Sequence, residues 1–206
     1  MREVIKSREI TALLHFTAEN NIDSIIEKGL IPRAFIKNII PNAICNDNYR
    51  YDNRELYNCL SITFPNNKMF YTLRMNNIDV KWGVIGFNIN ILFEYECLFC
   101  FTNAANSCIS CLKDEDLKGR DALKKLFGDV PNYKREDLNL PINFPTDPQA
   151  EVLIKGVIHP KDIIGICFND YPTYMKYKEK YPDMKIVFSD YYFNTREFSL
   201  SRNSNG

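Results

Sequence analysis

The chain has 206 residues, and its 26 lysines and arginines balance 26 aspartates and glutamates. No global field therefore advertises nucleic acid or an anionic membrane, although a basic groove can sit inside a neutral total. Apolar residues make up 45% and aromatic residues 13%, enough for one packed domain, and no window approaches the roughly 18 continuous apolar residues of a membrane span. The charged N-terminus lacks the apolar stretch of a secretory signal. Seven cysteines, an odd number, suit reduced thiols in a reducing compartment. These points lead us to expect a single domain over residues 1–206, cytoplasmic and without a membrane partner.

In chain order, residues 10–14 read as a short apolar strand whose end delivers His15-Phe16-Thr17. Ile22, Ile25, Ile26 and Leu30 then recur at helical spacing, with Gly29 as a natural stop. Residues 32–58 turn to Asn, Asp, Tyr and Arg without a period, which predicts a long irregular surface excursion. A strand over 59–64 ends at Pro65-Asn66-Asn67, and 68–74 forms a short helix. Residues 83–89 read as a central strand, 91–93 as a turn of helix and 97–101 as a further apolar strand. The charged stretch 113–140 is partly helical. Strands follow at 150–154, 163–168 and 185–188, with a helix over 171–181 between the last two. Residues 200–206 read as a frayed tail.

Few residues invite chemistry. His15 and Thr17, two apart on a strand, share a face and can jointly hydrogen-bond a ligand; the plainer reading is a satisfied core histidine. His159, before Pro160, reads as structural. Arg50 in the polar excursion is either a solvated arginine or a guanidinium fork over a diphosphate or near a nucleophile. Cys97-x-x-Cys100-x7-Cys108-x-x-Cys111 has the form of a four-thiolate zinc site. Its first pair, however, falls in an apolar strand where positions three apart face opposite ways, so buried thiols are favoured and no metal is expected. Glu151 stands at the mouth of Val152-Leu153-Ile154. A carboxylate there either makes a rim salt bridge or holds a sugar hydroxyl and offsets a developing cation, as in cleavage of a glycosidic bond. No Gly-rich dinucleotide or P-loop pattern occurs.

Taken in order, His15-Phe16-Thr17, Asn21, Gly29-Leu30, Arg50-Tyr51-Asp52, Ser61-Ile62-Thr63-Phe64-Pro65-Asn66-Asn67-Lys68-Met69-Phe70-Tyr71, Phe101-Thr102-Asn103-Ala104-Ala105 and Gln149-Ala150-Glu151-Val152-Leu153 resemble the DarT family of DNA ADP-ribosyltransferase toxins. The resemblance spans about residues 13–168; Asn53 stands where the family often carries Gly after Arg-x-Asp. It implies an α+β fold, an ADP-ribosyltransferase-like split mixed β-sheet with flanking helices, and a cleft that takes NAD as substrate. ADP-ribose would pass to a base of single-stranded DNA, guanine favoured and thymine possible, in the toxin of a toxin–antitoxin pair. The cognate antitoxin would reverse the mark or bind the toxin.

By the same resemblance Glu151 and Arg50 are catalytic, Glu151 orienting the ribose and Arg50 contacting the diphosphate and assisting proton removal from the base. His15, Thr17, Asn21, Gly29, Leu30, Lys68, Met69 and Tyr71 would bind NAD. Within the segment 113–148, Lys124, Lys125, Tyr133, Lys134 and Arg135 would meet phosphates and unstacked bases, the plainer reading being a solvated amphipathic stretch. Two alternatives stay open: a transferase acting on RNA or protein, and a nucleotide-binding module without chemistry.

Overall fold

A computed structural model describes residues 1–40, 52–131 and 134–196. Its strands are β1 (Ala12–Ala18), β2 (Tyr57–Ile62), β3 (Trp82–Asn88), β4 (Cys97–Cys100), β5 (Glu151–Lys155), β6 (Ile163–Phe168) and β7 (Ile186–Phe188). Its helices are α1 (Arg2–Ser7), α2 (Ile22–Lys28), α3 (Arg33–Ile39), α4 (Asn67–Asn76), α5 (Ile91–Glu94), α6 (Ser107–Ser110), α7 (Gly119–Lys125) and α8 (Tyr171–Lys180). The strands form one mixed sheet in the order β4-β5-β2-β1-β3-β6-β7, antiparallel except for the β6–β7 pair.

Alternation along the strands sorts the core. Leu13, Leu60, Ile62, Ile85, Phe87, Val152 and Ile154 face one side, where α1, α2, α7 and α8 add Val4, Ile25, Leu123 and Tyr177. Leu14, Val84 and Cys167 face the other side with Phe70, Trp82 and Phe193, while Leu98, Cys100 and Leu153 form a separate cluster there with Ile109 and Leu117. Leu13, Ile85, Val152, Leu153 and Ile154 have no exposed surface, and each contributes about 1.5–3 kcal/mol by its burial.

The sheet is nearly divided in two. β1 pairs with β3 along its whole length, from Ala12↔Asn88 to Ala18↔Trp82. On its other edge it pairs with β2 only through Leu13↔Ile62 and Leu14↔Ser61. Beyond Leu14 the β1–β2 ladder does not continue, while β2 stays paired on its other edge with β5 from Tyr57↔Lys155 to Leu60↔Val152.

Three local expectations are corrected. The first strand is not over by Leu14: the full ladder with β3 carries it to Ala18, so His15, Phe16 and Thr17 lie inside it. Nor is the stretch after Leu30 wholly irregular. Pro32, extended at φ −63°, stands at the N-cap of α3, and Asp52 and Arg54 are buried rather than on the surface. Asn53 between them has φ 56° and occupies the left-handed region that glycine otherwise serves. Third, α1 and α6 were not anticipated; α1 is charged around a buried Val4-Ile5 pair, and α6 is a single turn capped by the Asn106 side chain. Residues 200–206 lie outside the described residues.

Candidate active site

Leu14, His15, Phe16 and Thr17 of β1 and Tyr57, Asn58, Cys59, Leu60 and Ser61 of β2 all line one cavity. Neighbouring strand residues point to opposite faces, so consecutive residues can border the same space only where strand edges bound it. The cavity therefore occupies the split between β1 and β2. At its root His15 Nδ1 lies 2.9 Å from the carbonyl oxygen of Cys59, a side-chain bond replacing the lost ladder. A carbonyl only accepts, so Nδ1 carries the proton and Nε2 is left as an acceptor. Burial pushes the His15 pKa below 6.5, against the smaller opposing pull of that hydrogen bond, and favours the neutral ring.

The remaining walls are built locally. Asn21 Nδ2 donates to Thr17 Oγ1 at 2.9 Å, tying the start of α2 to β1. Gly29 has φ 86°, and a Cβ there would lie 2.2 Å from the carbonyl oxygen of Ile158. Glycine lets Leu30 exchange backbone bonds of 2.9 and 3.0 Å with Ile158. Asn58 Nδ2 closes the corner by donating to the carbonyls of Leu30 and Gly156 at 3.1 and 2.8 Å.

Glu151 begins β5 opposite Cys100 of β4. It is 7% exposed and borders the cavity, so it is a buried carboxylate rather than a rim group. Ala104 donates its backbone N–H to Oε2 at 2.9 Å, and Asn103 Nδ2 lies 3.3 Å from Oε1. Asn103 is oriented in turn, its Oδ1 accepting from the N–H of Ala105 at 3.0 Å. These donors aim the carboxylate, the disposition needed to stabilise positive charge on a ligand in the cleft.

Of the residues expected to bind NAD, His15, Thr17, Asn21, Gly29, Leu30 and Met69 border the cavity together with Glu151. Lys68 and Tyr71 are exposed on α4 and do not, because the helix turns Met69 to the cavity, Phe70 to the core and Lys68 and Tyr71 to solvent. Arg50 and Tyr133 lie outside the described residues. Lys124, Lys125 and Lys134 are exposed. Arg135 is engaged within the chain: Nη1 donates to the Phe144 carbonyl and to Thr146 Oγ1 at 2.7 and 3.0 Å, and Nη2 to the Pro141 carbonyl at 3.0 Å. Its guanidinium thus braces the loop that leads to Glu151.

Asp52, Asn58, Ser61, Asn66, Asn103 and Ala104 also border the cavity and were not singled out. All but Asn58 fall inside the motifs quoted above, which were the available signal. Cys97 and Cys100 pack into clusters on opposite faces of the sheet, and burial pushes both thiols up to about 12. Among the described residues no three His, Cys, Asp or Glu side chains converge to hold a metal.

A split mixed sheet, with a His-x-Thr strand on one lip of the cleft and a donor-held glutamate at the head of a strand on the other side, defines an ADP-ribosyltransferase-like domain. Residues 14–197 match the sequence model of a family described as "DarT: ssDNA thymidine ADP-ribosyltransferase", and the chain belongs to that family. Membership places it among ADP-ribosyltransferases. The description names thymidine, not the guanine favoured from the sequence.

Among solved structures, Thermosipho africanus DarTG in complex with ADP-ribose matches with a TM-score of 0.63 and 18% identity over 88% of this chain. This chain spans about half, 51%, of that one. Thermus sp. 2.9 DarT in complex with NAD+ matches with a TM-score of 0.52, and its complex with ADP-ribosylated ssDNA with 0.56. Both are 13% identical over 89% of this chain, covering 98% and 96% of theirs. At these identities the likeness is one of fold. No curated protein matches the sequence.

Proposed function

We propose that the chain transfers a single ADP-ribose from NAD to thymidine in single-stranded DNA. The observation that carries this reading is the Glu151 carboxylate, buried in the wall of the cleft and aimed by Ala104 and Asn103. NAD occupies the split between β1 and β2. The bond from nicotinamide to ribose C1 breaks, the pair of electrons leaves with nicotinamide, and C1 passes through an oxocarbenium-like state that Glu151 offsets. His15, Thr17 and Asn21 hold the dinucleotide. The imide nitrogen of thymine bonds to C1 and its proton passes to water; Arg50, a guanidinium that stays protonated and takes no proton itself, is assigned from its motif to the diphosphate and to assisting this proton loss by steadying the negative charge that develops on the imide. A base reacting at that nitrogen must be outside a duplex stack, which suits a single strand.

Membership of the family and the likeness in fold to complexes with NAD+ and with ADP-ribosylated ssDNA support this assignment. We further propose that the protein is the toxin of a toxin–antitoxin pair, with a partner that removes the mark or binds the toxin. Labelled NAD is to be incubated with oligonucleotides containing only thymine or only guanine as the variable base, with RNA, and with lysate protein. Label is expected on the thymine-containing single strand. Label entering only RNA or only protein sinks the DNA assignment, and label on guanine alone sinks the choice of base.

A further inference from the structure

Asn66, between Pro65 and the first residue of α4, is 2% exposed and borders the cavity. Three of its four polar groups are satisfied within the chain. Its N–H donates to Ser61 Oγ at 3.1 Å, its carbonyl accepts from the Phe70 N–H at 2.9 Å, and its side-chain Oδ1 accepts from the Met69 N–H at 3.2 Å. The last bond settles which end of the amide is oxygen, because a flipped side chain would set two donors against each other. Nδ2 is buried and has no partner among the described residues.

The place where this donor sits adds to its meaning. α4 runs for ten residues from Asn67, with no acid in its first turn. Asn66 accepts from the N–H groups of Met69 and Phe70, which leaves those of Asn67 and Lys68 without an intrahelical acceptor. An unpaired amide donor beside the positive end of a helix dipole suits an anion with several acceptor oxygens.

We propose that Asn66 donates from Nδ2 to a phosphate oxygen seated at the N-terminus of α4, in the cavity that holds Glu151. The phosphate belongs either to the diphosphate of NAD or to the backbone of the DNA strand; only that attribution rests on the functional reading above.

Asn66→Asp and Asn66→Ser both keep an oxygen to cap Met69 while removing Nδ2. Wild type and both variants are titrated calorimetrically with NAD, ADP-ribose, inorganic pyrophosphate and a thymidine-containing single-stranded oligonucleotide, alongside thermal unfolding. The expected result is a loss of roughly 10- to 100-fold in affinity for the phosphate ligand, larger for Asp than for Ser, with folding retained. Weakened NAD and ADP-ribose assign the phosphate to the dinucleotide, and a weakened oligonucleotide alone assigns it to the DNA. Unchanged affinity for all four probes overturns the proposal, and so does unfolding of both variants, which would make the Asn66 amide a part of the fold and not of a phosphate site. If pyrophosphate binding is weakened by the variants but wild type binds neither NAD nor the oligonucleotide, the phosphate site stands and the functional reading falls. A wild type that binds none of the four overturns both.

Discussion

The backbone N–H of Ala104 meets Glu151 Oε2 at 2.9 Å, joining two segments 47 residues apart. The turn that leaves β4 thereby orients the acid that opens β5. Replacing Glu151 by Gln keeps an oxygen for that N–H, removes the charge and turns the acceptor that faces Asn103 Nδ2 into a donor. We expect the initial rate of label transfer to a thymidine oligonucleotide to fall by about 10²–10³-fold, with circular dichroism and NAD affinity close to wild type. Undiminished transfer by folded Glu151→Gln protein would falsify the electrostatic role.

Arg135 bears on the same acid from the other side of the chain. Its bonds to Pro141, Phe144 and Thr146 hold the loop before β5, and Arg196 adds a bond to the Pro145 carbonyl, its guanidinium 4.9 Å from the Phe144 ring centroid. Arg135→Ala leaves several acceptors without a donor and is expected to cost roughly 1–3 kcal/mol in urea unfolding. The salt dependence of oligonucleotide binding should keep its slope. A slope shallower by about 1 would return Arg135 to the phosphate-contacting role expected from the sequence.

His15 sets a pH dependence of known sign. Its folded pKa lies below 6.5, so between those two values the unfolded chain carries a proton that the folded chain does not. Stability therefore rises with pH across that window, is fully present above 6.5, and is lost as pH falls below it. Thermal midpoints measured from about pH 8 down to about pH 5 should decline on the acid side, and His15→Gln should flatten that decline. An equal decline in the variant would assign the acid loss to other groups.

The cysteines divide by environment. Cys108 and Cys111 are exposed, whereas Cys97 and Cys100 are buried with thiols raised to about 12. A thiol reagent should modify the first pair in native protein and the second only after denaturation, since the thiolate is the reactive form. About one zinc per chain in purified protein, with Cys108 and Cys111 protected, would overturn this division.

The short apolar runs around Leu13-Leu14, Val84-Ile85 and Val152-Leu153-Ile154 and the helical spacing of Ile22 and Ile25 made most of the elements legible, because strands buried on both faces read as uninterrupted apolar stretches. Motif order carried the cleft residues His15, Thr17, Gly29 and Glu151 without any knowledge of distance. The bracing bonds of Arg135 were not legible because its neighbours in the chain are charged, while its partners are backbone carbonyls and the Thr146 hydroxyl, which no sequence pattern marks.

By itself the sequence determined most of the elements, the family and the residue types available for chemistry, since local periodicity and ordered motifs are properties of the chain. Only the tertiary structure decided that β1 and β2 separate after Leu14, that His15 spans the gap to Cys59, and that Asn66 keeps one buried donor unpaired. Each of those depends on which distant backbone group lies within about 3 Å, and hydrogen bonds are made or lost over tenths of an ångström.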